Sequence, residues 1–285
     1  MDVRGAGAYE MIKEGIMTGL CGLCQQVGGL QESHLLPRTS YKHVRGLQAG
    51  VKGDPVITTP QSIQITSIQV KTPFLCSSCE NLFNSRGENI VSRWYAQQDG
   101  RFNLREQLQV AVPLHTEKRS TVYDAVHLLG QMIDSYLYFA ASIFWRSAAC
   151  RRWHIRNEPI ASISLSAIYQ EQFRLYLLGQ GAFPANARIS LHVVAETDLD
   201  VLLSLSFPST GRLTNLHCHD FFINGLLFVL FLGKAVVPRY NDKALNSSQP
   251  CIWLTPWTET PFYQASVSMA RTSEPKKAFR RLISS

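Results

Sequence analysis

Two Cys-x-x-Cys pairs constrain this chain more than any other feature of its sequence. The first pair is Cys21 and Cys24, and the second is Cys76 and Cys79. A short turn with two cysteines brings two sulfur atoms to one side of a metal ion, so two such pairs can complete a tetrahedral Zn²⁺ shell. A zinc ion with four sulfur ligands has no open position for water or substrate, and its role is structural. The sequence therefore predicts a zinc-stabilised module near the start of the chain.

Any chemistry beside this zinc site must come from residues that the metal positions. Between the two pairs the sequence reads SHLLPR, from Ser33 to Arg38. His34 is the first candidate, because an imidazole can accept or donate a proton near neutral pH. The alternative is a structural histidine that forms hydrogen bonds inside the zinc module.

The charge balance favours a polyanionic partner. The chain has 285 residues, with 28 basic and 21 acidic side chains and a formal net charge of +7. Nucleic acid is the first candidate partner and an anionic membrane surface the second, while a mildly basic protein without either partner is the third interpretation. A hydrophobic content of 45% argues against disorder and supplies a core for one large or two ordinary domains.

The cysteine count and the N-terminal sequence favour a cytoplasmic setting. Seven cysteines, an odd number, fit a disulfide framework poorly and fit reduced metal-binding thiols better. The N-terminal residues include acidic side chains and lack a continuous apolar core, unlike a secretory signal. The most apolar segment, 221–237, contains Asn224 and falls short of the roughly 20 apolar residues of a membrane-spanning helix. We expect buried strands there and no membrane partner.

Residues 1–95 are predicted to form the zinc module. Residues 61–70 alternate apolar and polar side chains with one slip, which predicts a strand or a bulged hairpin running toward Cys76. After Cys79, apolar residues at near-helical spacing predict one or two short helices interrupted at Gly87. A strand, a Cys-x-x-Cys turn and a helix in this order are typical of a treble-clef zinc motif.

A polar linker, 96–119, is predicted to join the module to a second domain, 120–285. Apolar residues recur at helical spacing from Ser120 to Trp153 and predict one long helix, with Ser120 or Thr121 as its N-cap.

A second helix is predicted from about Ser164 to Leu178, with Gly179 in the C-cap position. Strand-like runs follow and predict an antiparallel sheet. They span 189–195, 201–207, 213–222 and 226–237. The predicted fold class is therefore α+β, a treble-clef module followed by a domain with a long helix and a sheet.

These residues resemble an HNH-type nuclease module, in which a ββα-metal fold is held by a treble-clef zinc. The matching elements are the two cysteine pairs, the Ser-His-Leu-Leu-Pro run at 33–37 and the glutamate after Cys79. Many bacterial and phage proteins described as HNH-like share this wider pattern. The resemblance covers about the first third of the chain.

The resemblance implies a metal-dependent endonuclease that hydrolyses DNA phosphodiester bonds, with RNA as an alternative substrate. His34 would be the general base that removes a proton from the attacking water. A catalytic Mg²⁺ or Mn²⁺ would stabilise the charge that develops on the phosphate. Glu80 would bind that ion, since Mg²⁺ accepts carboxylate ligands. Supporting roles fall to Asn84 as a further catalytic residue, and to Ser33 and Glu88 at the ion.

The chain departs from the HNH pattern at two positions. Ser33, a weak neutral ligand, stands where the family commonly has Asp or His. The family's middle Asn lies a few residues before the second cysteine pair, where this chain has Lys71-Thr72-Pro73. These departures favour an alternative function, in which a catalytically degenerate, zinc-stabilised module binds nucleic acid or a partner protein.

Basic residues in both halves are candidate nucleic-acid contacts. The arginines from Arg146 to Arg156 suit phosphate, and the aromatic rings beside them could stack on bases. Alternatively, these arginines are cations at a helix C-terminus, with the neighbouring tryptophans in the core. The candidate contacts are Arg38, Lys42, Arg151, Arg152 and Arg156. The second half is also a candidate surface for a protein partner or for homo-oligomer contacts.

His217 and His219 are predicted to lie on the same face of a strand. They could share an ion with a distant carboxylate. Histidines that form hydrogen bonds within the strand are the favoured interpretation, because a strongly apolar run follows them.

Overall fold

The computed structural model describes residues 10–11, 17–46, 56–58, 63–65, 68–155, 158–160, 162–202, 204–213, 216–240, 242–260 and 263. Helices and sheets are mixed along the chain, so the predicted α+β class is confirmed. One main hydrophobic core includes buried side chains from both halves and continues across residue 95, the predicted domain boundary.

A small antiparallel sheet carries the first cysteine pair. Its described strands are β1 (Glu10–Met11), β2 (Met17–Leu20), β3 (Val27–His34) and β6 (Lys71–Cys76), which pair in that order. The turn between β2 and β3 contains Cys21 and Cys24. The pairing of β3 with β6 places Leu30 opposite Cys76 and His34 opposite Lys71.

Helices follow both β3 and β6. Helix α1 (Arg38–Gly46) begins soon after His34. After β6, the chain forms α2 (Ser77–Phe83), a π-helical turn (Asn84–Glu88) and α3 (Asn89–Val91) as one nearly continuous helix. The sequence predicted an interruption at Gly87, and the structure has the π-helical turn there, a rare element that is frequent at functional sites.

A large, mostly antiparallel sheet is formed mainly by residues 115–255, with two short strands from 56–65 at one edge. Its described strands are β4 (Val56–Thr58), β5 (Ile63–Ile65), β7 (His115–Glu117), β8 (Ser120–Asp124), β11 (Ala187–Val194), β12 (Leu205–Leu213), β13 (Leu216–Ile223), β14 (Leu226–Leu232) and β15 (Cys251–Thr255). They are arranged in the order β5-β4-β12-β13-β14-β11-β15-β8-β7. Two pairings are parallel, β4 with β12 and β11 with β15, so the predicted antiparallel arrangement holds except at these two places.

Strands β4 and β5 come from the segment predicted to belong to the zinc module. β4 pairs with β12, and β5 pairs with β4 at the edge of the large sheet. The prediction that one strand over 61–70 runs on to Cys76 is therefore wrong. Residues 63–65 join the large sheet as β5, and a separate strand, β6, leads to Cys76 and pairs with β3.

The long helix begins later than the sequence predicted. Ser120 and Thr121 lie in β8, which pairs with β15, so neither is an N-cap. The Asp124 side chain caps α5 (Ala125–Leu129) by accepting a hydrogen bond of 2.7 Å from the Val126 amide. A 3₁₀ turn (Gly130–Met132) then leads into α6 (Ile133–Ala149).

Helix α6 is a core helix and not the amphipathic helix that was predicted. Every residue from Tyr136 to Ala148 is buried. Aromatic rings hold it to the large sheet, with centroid distances of 5.6 Å between Phe139 and Phe228 and 5.0 Å between Phe144 and Phe221. A helix that is buried on all sides has a position fixed by its neighbours.

The segment predicted as a polar linker, 96–119, is instead structured. It contains α4 (Asn103–Val110) and strand β7. Phe102, Leu104 and Leu108 are buried in the main core, so the prediction of a linker was wrong. Leu104 and Leu108 are four residues apart, on one helix face, but a single such pair in a mostly polar segment is a weak signal for a helix.

The second predicted helix is confirmed as α7 (Ala167–Leu178). Its C-cap Gly179 has φ of +73°, a left-handed conformation that glycine adopts without strain. The predicted strands are also present, with two exceptions. The run 201–207 begins with α8 (Leu199–Leu202), and the run 226–237 is a strand only to Leu232, after which the chain turns into a short helix. The remaining short elements are β9 (His154–Ile155), β10 (Glu158–Pro159), α9 (Val236–Arg239) and a 3₁₀ turn (Trp257–Glu259).

Arginines of the second half hold the small sheet through its main chain. Each donates a hydrogen bond to a carbonyl oxygen near a cysteine pair or at the end of β3. The pairs are Arg146 with His34 at 2.7 Å, Arg152 with Pro73 at 2.9 Å and Arg174 with Leu23 at 2.9 Å.

Replacing Gly87 with valine is expected to lower the free energy of unfolding by about 1–3 kcal/mol, because the side chain would overlap main-chain atoms of α6. A Cβ at Gly87 would lie 3.1 Å from Cα of Phe139. Gly28→Val is the control, since no described heavy atom lies within 4 Å of a Cβ there. Urea unfolding compares the variants. Equal stability of the two would contradict close packing of Gly87 on α6.

Candidate functional site

The four paired cysteines converge in the structure. Their Sγ atoms all lie within 4.8 Å of one another, and Sγ of Cys24 is 3.8 Å from Sγ of Cys76. Zinc–sulfur bonds of about 2.3 Å in a tetrahedron require sulfur–sulfur distances of about 3.8 Å, so the spacing suits a bound ion. The predicted cluster is confirmed, and it can hold a metal ion such as zinc.

Backbone contacts shape the first cysteine turn. The Gly22 amide donates to the Phe74 carbonyl at 2.9 Å, and the Cys76 amide donates to Sγ of Cys21 at 3.3 Å. A Cβ at Gly22 would lie 2.1 Å from the Phe74 ring, so only glycine allows this approach. The turn is therefore shaped by β6, the strand that leads to the second pair.

Without a bound cation, the clustered thiols shift one another's pKa values in opposite directions. Hydrogen bonding from Cys79 lowers the pKa of Cys21 to about 4, although burial acts in the opposite direction. The same contact raises the pKa of Cys79 well above its usual range. One thiolate thus disfavours a second beside it, and a metal cation would stabilise all four as thiolates.

His34 is partly exposed at the end of β3. Its Nε2 lies 2.7 Å from Oε1 of Gln69, a carbonyl oxygen that can only accept, so Nε2 carries the proton. Nδ1 forms no hydrogen bond within the described part of the chain and keeps its lone pair. Burial lowers the pKa of His34 below its ordinary value of 6.5, and the charge of Arg146 acts in the same direction. The imidazole is therefore neutral at pH 7.

Gln69 was not identified from the sequence. It lies seven positions before Cys76, in the region where the HNH pattern would place its middle Asn. A side-chain amide that anchors the histidine is thus present, although it is a glutamine at a different position. Gln69 was missed because the HNH pattern directs the search to an asparagine at 71–73, whereas the geometry of the loop decides which side-chain amide reaches the imidazole.

Glu80 lies in the first turn of α2, next to Cys79. Burial raises the pKa of its carboxyl group, while the charge of Arg146 and a hydrogen bond from Ser33 oppose that rise. Its Oε1 atom is buried and has no hydrogen-bond partner among the residues that the structure describes. An orphaned carboxylate oxygen of this kind is costly unless a cation or donor completes it.

Ser33 is fully buried, and its hydroxyl takes part in the sheet. Its Oγ accepts a hydrogen bond of 3.0 Å from the Leu75 amide and lies 3.5 Å from the Gln31 carbonyl oxygen, so its single proton is shared between that carbonyl and Glu80. The structure therefore places this candidate ion ligand between two strands, with Glu80 beside it.

Glu88, at the end of the π-helical turn, forms an ion pair with Arg146. Oε1 of Glu88 lies 2.7 Å from Nη2 of Arg146, whose side chain is only 1% exposed. Nη1 of the same guanidinium donates to the His34 carbonyl at 2.7 Å. Arg146 had been grouped with nucleic-acid contacts, and that interpretation is wrong for it. An arginine inside the apolar run of α6 was the only signal in the sequence.

The other candidates are less closely connected. Asn84 is exposed, and within the described residues no contact joins its side chain to His34 or Glu80. The four cysteines are the one group of three or more His, Cys, Asp or Glu side chains, among those described, whose ligand atoms lie together. His34, Glu80 and Glu88 therefore share a neighbourhood around Arg146 without forming a second closed metal site.

The candidate nucleic-acid contacts fall into different environments. Arg38 and Lys42 are exposed on α1, and Arg151 is exposed after α6. Arg152 is half-buried and donates to the Pro73 carbonyl, and Arg156 lies outside the described residues. Of these candidates, the two exposed cations on α1 lie on the helix that directly follows His34.

The strand histidines follow the favoured interpretation. His217 is exposed, whereas His219 is buried with Nδ1 2.9 Å from Oγ1 of Thr210. Burial lowers the pKa of His219 to about 4, so its ring is neutral.

A separate cavity of about 150 Å³ adjoins the β7–β8 hairpin and β15. His192 and Trp253 line it, with ring centroids 5.6 Å apart. Neither the cysteines nor His34 and Glu80 are among its described lining residues, so it does not extend the His34 site.

Comparison of the chain with protein-family models, curated proteins and solved structures found no match. Among the described helices, none is both long enough and apolar enough to cross a bilayer. Functional inference therefore depends on the geometry of the residues themselves.

Replacing Cys76 with serine is expected to release the metal and unfold the small sheet, because a structural zinc contributes on the order of 10 kcal/mol of folding free energy. Cys150→Ala is the control, as Cys150 is a buried thiol outside the cluster. Metal content by mass spectrometry and thermal unfolding are measured for both. One zinc per chain and an unchanged Tm in Cys76→Ser would contradict the four-thiolate site.

Proposed function

We propose that the chain is a zinc-stabilised, HNH-like hydrolase that cleaves DNA phosphodiester bonds with His34 as general base. One observation carries the proposal: a partly exposed, neutral imidazole at the end of β3, anchored through Nε2 by Gln69. This arrangement leaves Nδ1 available to accept a proton. Glu80 and Glu88 lie on the helical segment that begins at the second cysteine pair, and the charge of Glu88 acts to raise the pKa of both His34 and Glu80.

The local topology supports the resemblance. Two antiparallel strands, β3 and β6, are followed directly by α2, and the cysteine pairs lie at the turn before β3 and at the start of α2. This order of elements is the one that the resemblance to a ββα-metal module with a treble-clef zinc implies. The cluster of four sulfur atoms holds β3 next to α2 and thereby sets the relative positions of His34 and Glu80.

The proposed chemistry is a hydrolysis. Nδ1 of His34 takes a proton from water, the water oxygen forms a bond to phosphorus, the bond from phosphorus to the leaving sugar oxygen breaks, and that oxygen takes a proton from solvent water. A divalent ion such as Mg²⁺ or Mn²⁺ would supply charge neutralisation at the phosphate when bound. Glu80 would hold such an ion, since its buried Oε1 lacks a partner and Mg²⁺ is often held by one or two carboxylates.

Helix α1 is the proposed DNA contact. Arg38 and Lys42 are four residues apart, so they lie on the same helix face, and both are exposed. The helix starts four residues after His34 and places Tyr41 with its ring centroid 6.4 Å from the imidazole. Phosphates bound by these cations would pass close to the proposed base.

A second candidate function is a zinc-stabilised module that binds nucleic acid or protein without cleavage. The observation that favours it is the pairing of Glu88 with Arg146, together with the location of Ser33 between strands. Both candidate ion ligands are thereby occupied, and Glu80 remains the one with a free oxygen. Cleavage assays separate the two functions directly.

Purified full-length protein is expected to nick supercoiled plasmid DNA in the presence of Mg²⁺ or Mn²⁺, and His34→Ala is expected to reduce the rate by about 10²–10⁴-fold through loss of the base. His127→Ala is the matched control, because His127 is exposed on α5. Gel densitometry over time gives the rates.

Undiminished nicking by His34→Ala would exclude His34 as the base. Absence of nicking by the wild type with either ion, combined with DNA binding, would favour the non-cleaving module instead.

Exchanging Arg38 and Lys42 together for glutamine is expected to weaken DNA binding and to make its salt dependence shallower by up to about 2 in the log–log slope, because each phosphate contact contributes about 0.9. Lys234→Gln with Arg239→Gln is the control, since both are exposed cations elsewhere. Fluorescence anisotropy across salt concentrations gives the slopes. Equal slopes in the two double variants would remove α1 from the DNA interface.

A further inference from the structure

Arg146 brings three parts of the molecule together. Its guanidinium donates to the His34 carbonyl and to Glu88, each at 2.7 Å, and to Oγ of Ser142 on its own helix at 3.2 Å. It also lies over the Phe83 ring, 5.2 Å from the centroid. The planar guanidinium group suits hydrogen bonds to several acceptors at once, because its N–H donors point in fixed directions.

The position of this guanidinium is set by the second half of the chain. Helix α6 is packed on the large sheet through Phe139 and Phe144. On its other side, Gly87 allows the π-helical turn to approach within contact of Phe139. The backbone of Arg146 is therefore fixed by the packing of a buried helix, and its guanidinium is held by the hydrogen bonds to His34, Glu88 and Ser142.

We propose that Arg146 is a positioning residue of the His34 site, which is complete only when the second half supplies this side chain. The bond to the carbonyl of His34 fixes the last residue of β3, and with it the direction of the imidazole. The ion pair with Glu88 holds the helix of Glu80 against the same point. This inference rests on the proposed function, because it assigns Arg146 to the same site, but the geometry of His34 can be tested without cleavage.

The mechanism of positioning is the double anchor on His34. Gln69 fixes the ring at Nε2, and Arg146 fixes the backbone of the same residue. If the hydrogen bond from Arg146 to the His34 carbonyl is lost, the Cα of His34 can shift. The imidazole can still bond to Gln69, but its position relative to the substrate changes. A displacement of about 1 Å at a catalytic group can cost about 100-fold in rate.

The test compares Arg146→Met and Arg146→Lys with Arg174→Met in the full-length zinc-bound protein. Arg174 also donates from the second half to a carbonyl near the cysteines, that of Leu23, but does not contact His34 or Glu88. Two readouts are taken at fixed pH: the imidazole NMR signals of His34, assigned by loss in His34→Ala, and kcat and KM for plasmid nicking.

We expect Arg146→Met to shift the His34 signals and to lower kcat about 100-fold with KM little changed. Arg146→Lys should restore part of the rate, since lysine can replace one of the two bonds. Arg174→Met should leave the His34 signals and kcat near wild type. Should Arg146→Met fail to fold, Arg146→Lys beside Arg174→Met gives the same comparison.

Unchanged His34 signals in a folded Arg146 variant, or equal shifts in Arg174→Met, would overturn the positioning role. A wild type without nicking activity would remove the proposed function, while the NMR comparison would still decide the role of Arg146. The two ideas can therefore fail separately.

Discussion

The convergence of four sulfur atoms is the constraint on which the small sheet depends. Two of them come from the turn before β3 and two from the junction of β6 and α2, yet all lie within 4.8 Å. Fixing them fixes the strand β3 relative to the helix α2. His34 at the far end of that strand and Glu80 in the first helical turn inherit their positions from this arrangement. The four cysteines thus set the positions of both residues of the proposed site.

A buried cation makes the second constraint. A guanidinium that is 1% exposed is tolerated only when its charge and donors are satisfied, and Glu88 and the His34 carbonyl satisfy it. Removing one partner of such a buried pair typically costs about 3–5 kcal/mol. The small sheet and helix α6 cannot separate without this loss. The continuous hydrophobic core across residue 95 is consistent with that coupling.

These two constraints have different consequences for function. A sulfur-bound ion alone would serve a binding module as well as an enzyme. The neutral imidazole held at Nε2, with a lone pair on Nδ1 and an orphaned carboxylate oxygen nearby, is what favours hydrolysis. Burial lowers the pKa of His34 and the charge of Arg146 adds to that effect, while the same guanidinium pairs with Glu88, so Arg146 acts on both the proposed base and a candidate ion ligand.

The sequence by itself predicted features that are set by residues close together in the chain. Two cysteine pairs predicted the sulfur cluster because four thiols in two short turns share a preferred ligand, and Gly179 correctly marked the end of α7 because cap geometry is local. Tertiary structure decided the rest. Thr121 lies in a strand instead of a helix because β15, more than a hundred residues later, pairs with it. Gln69 and Arg146 reach His34 only through folding, since hydrogen bonds between distant segments leave no periodic signal in the chain.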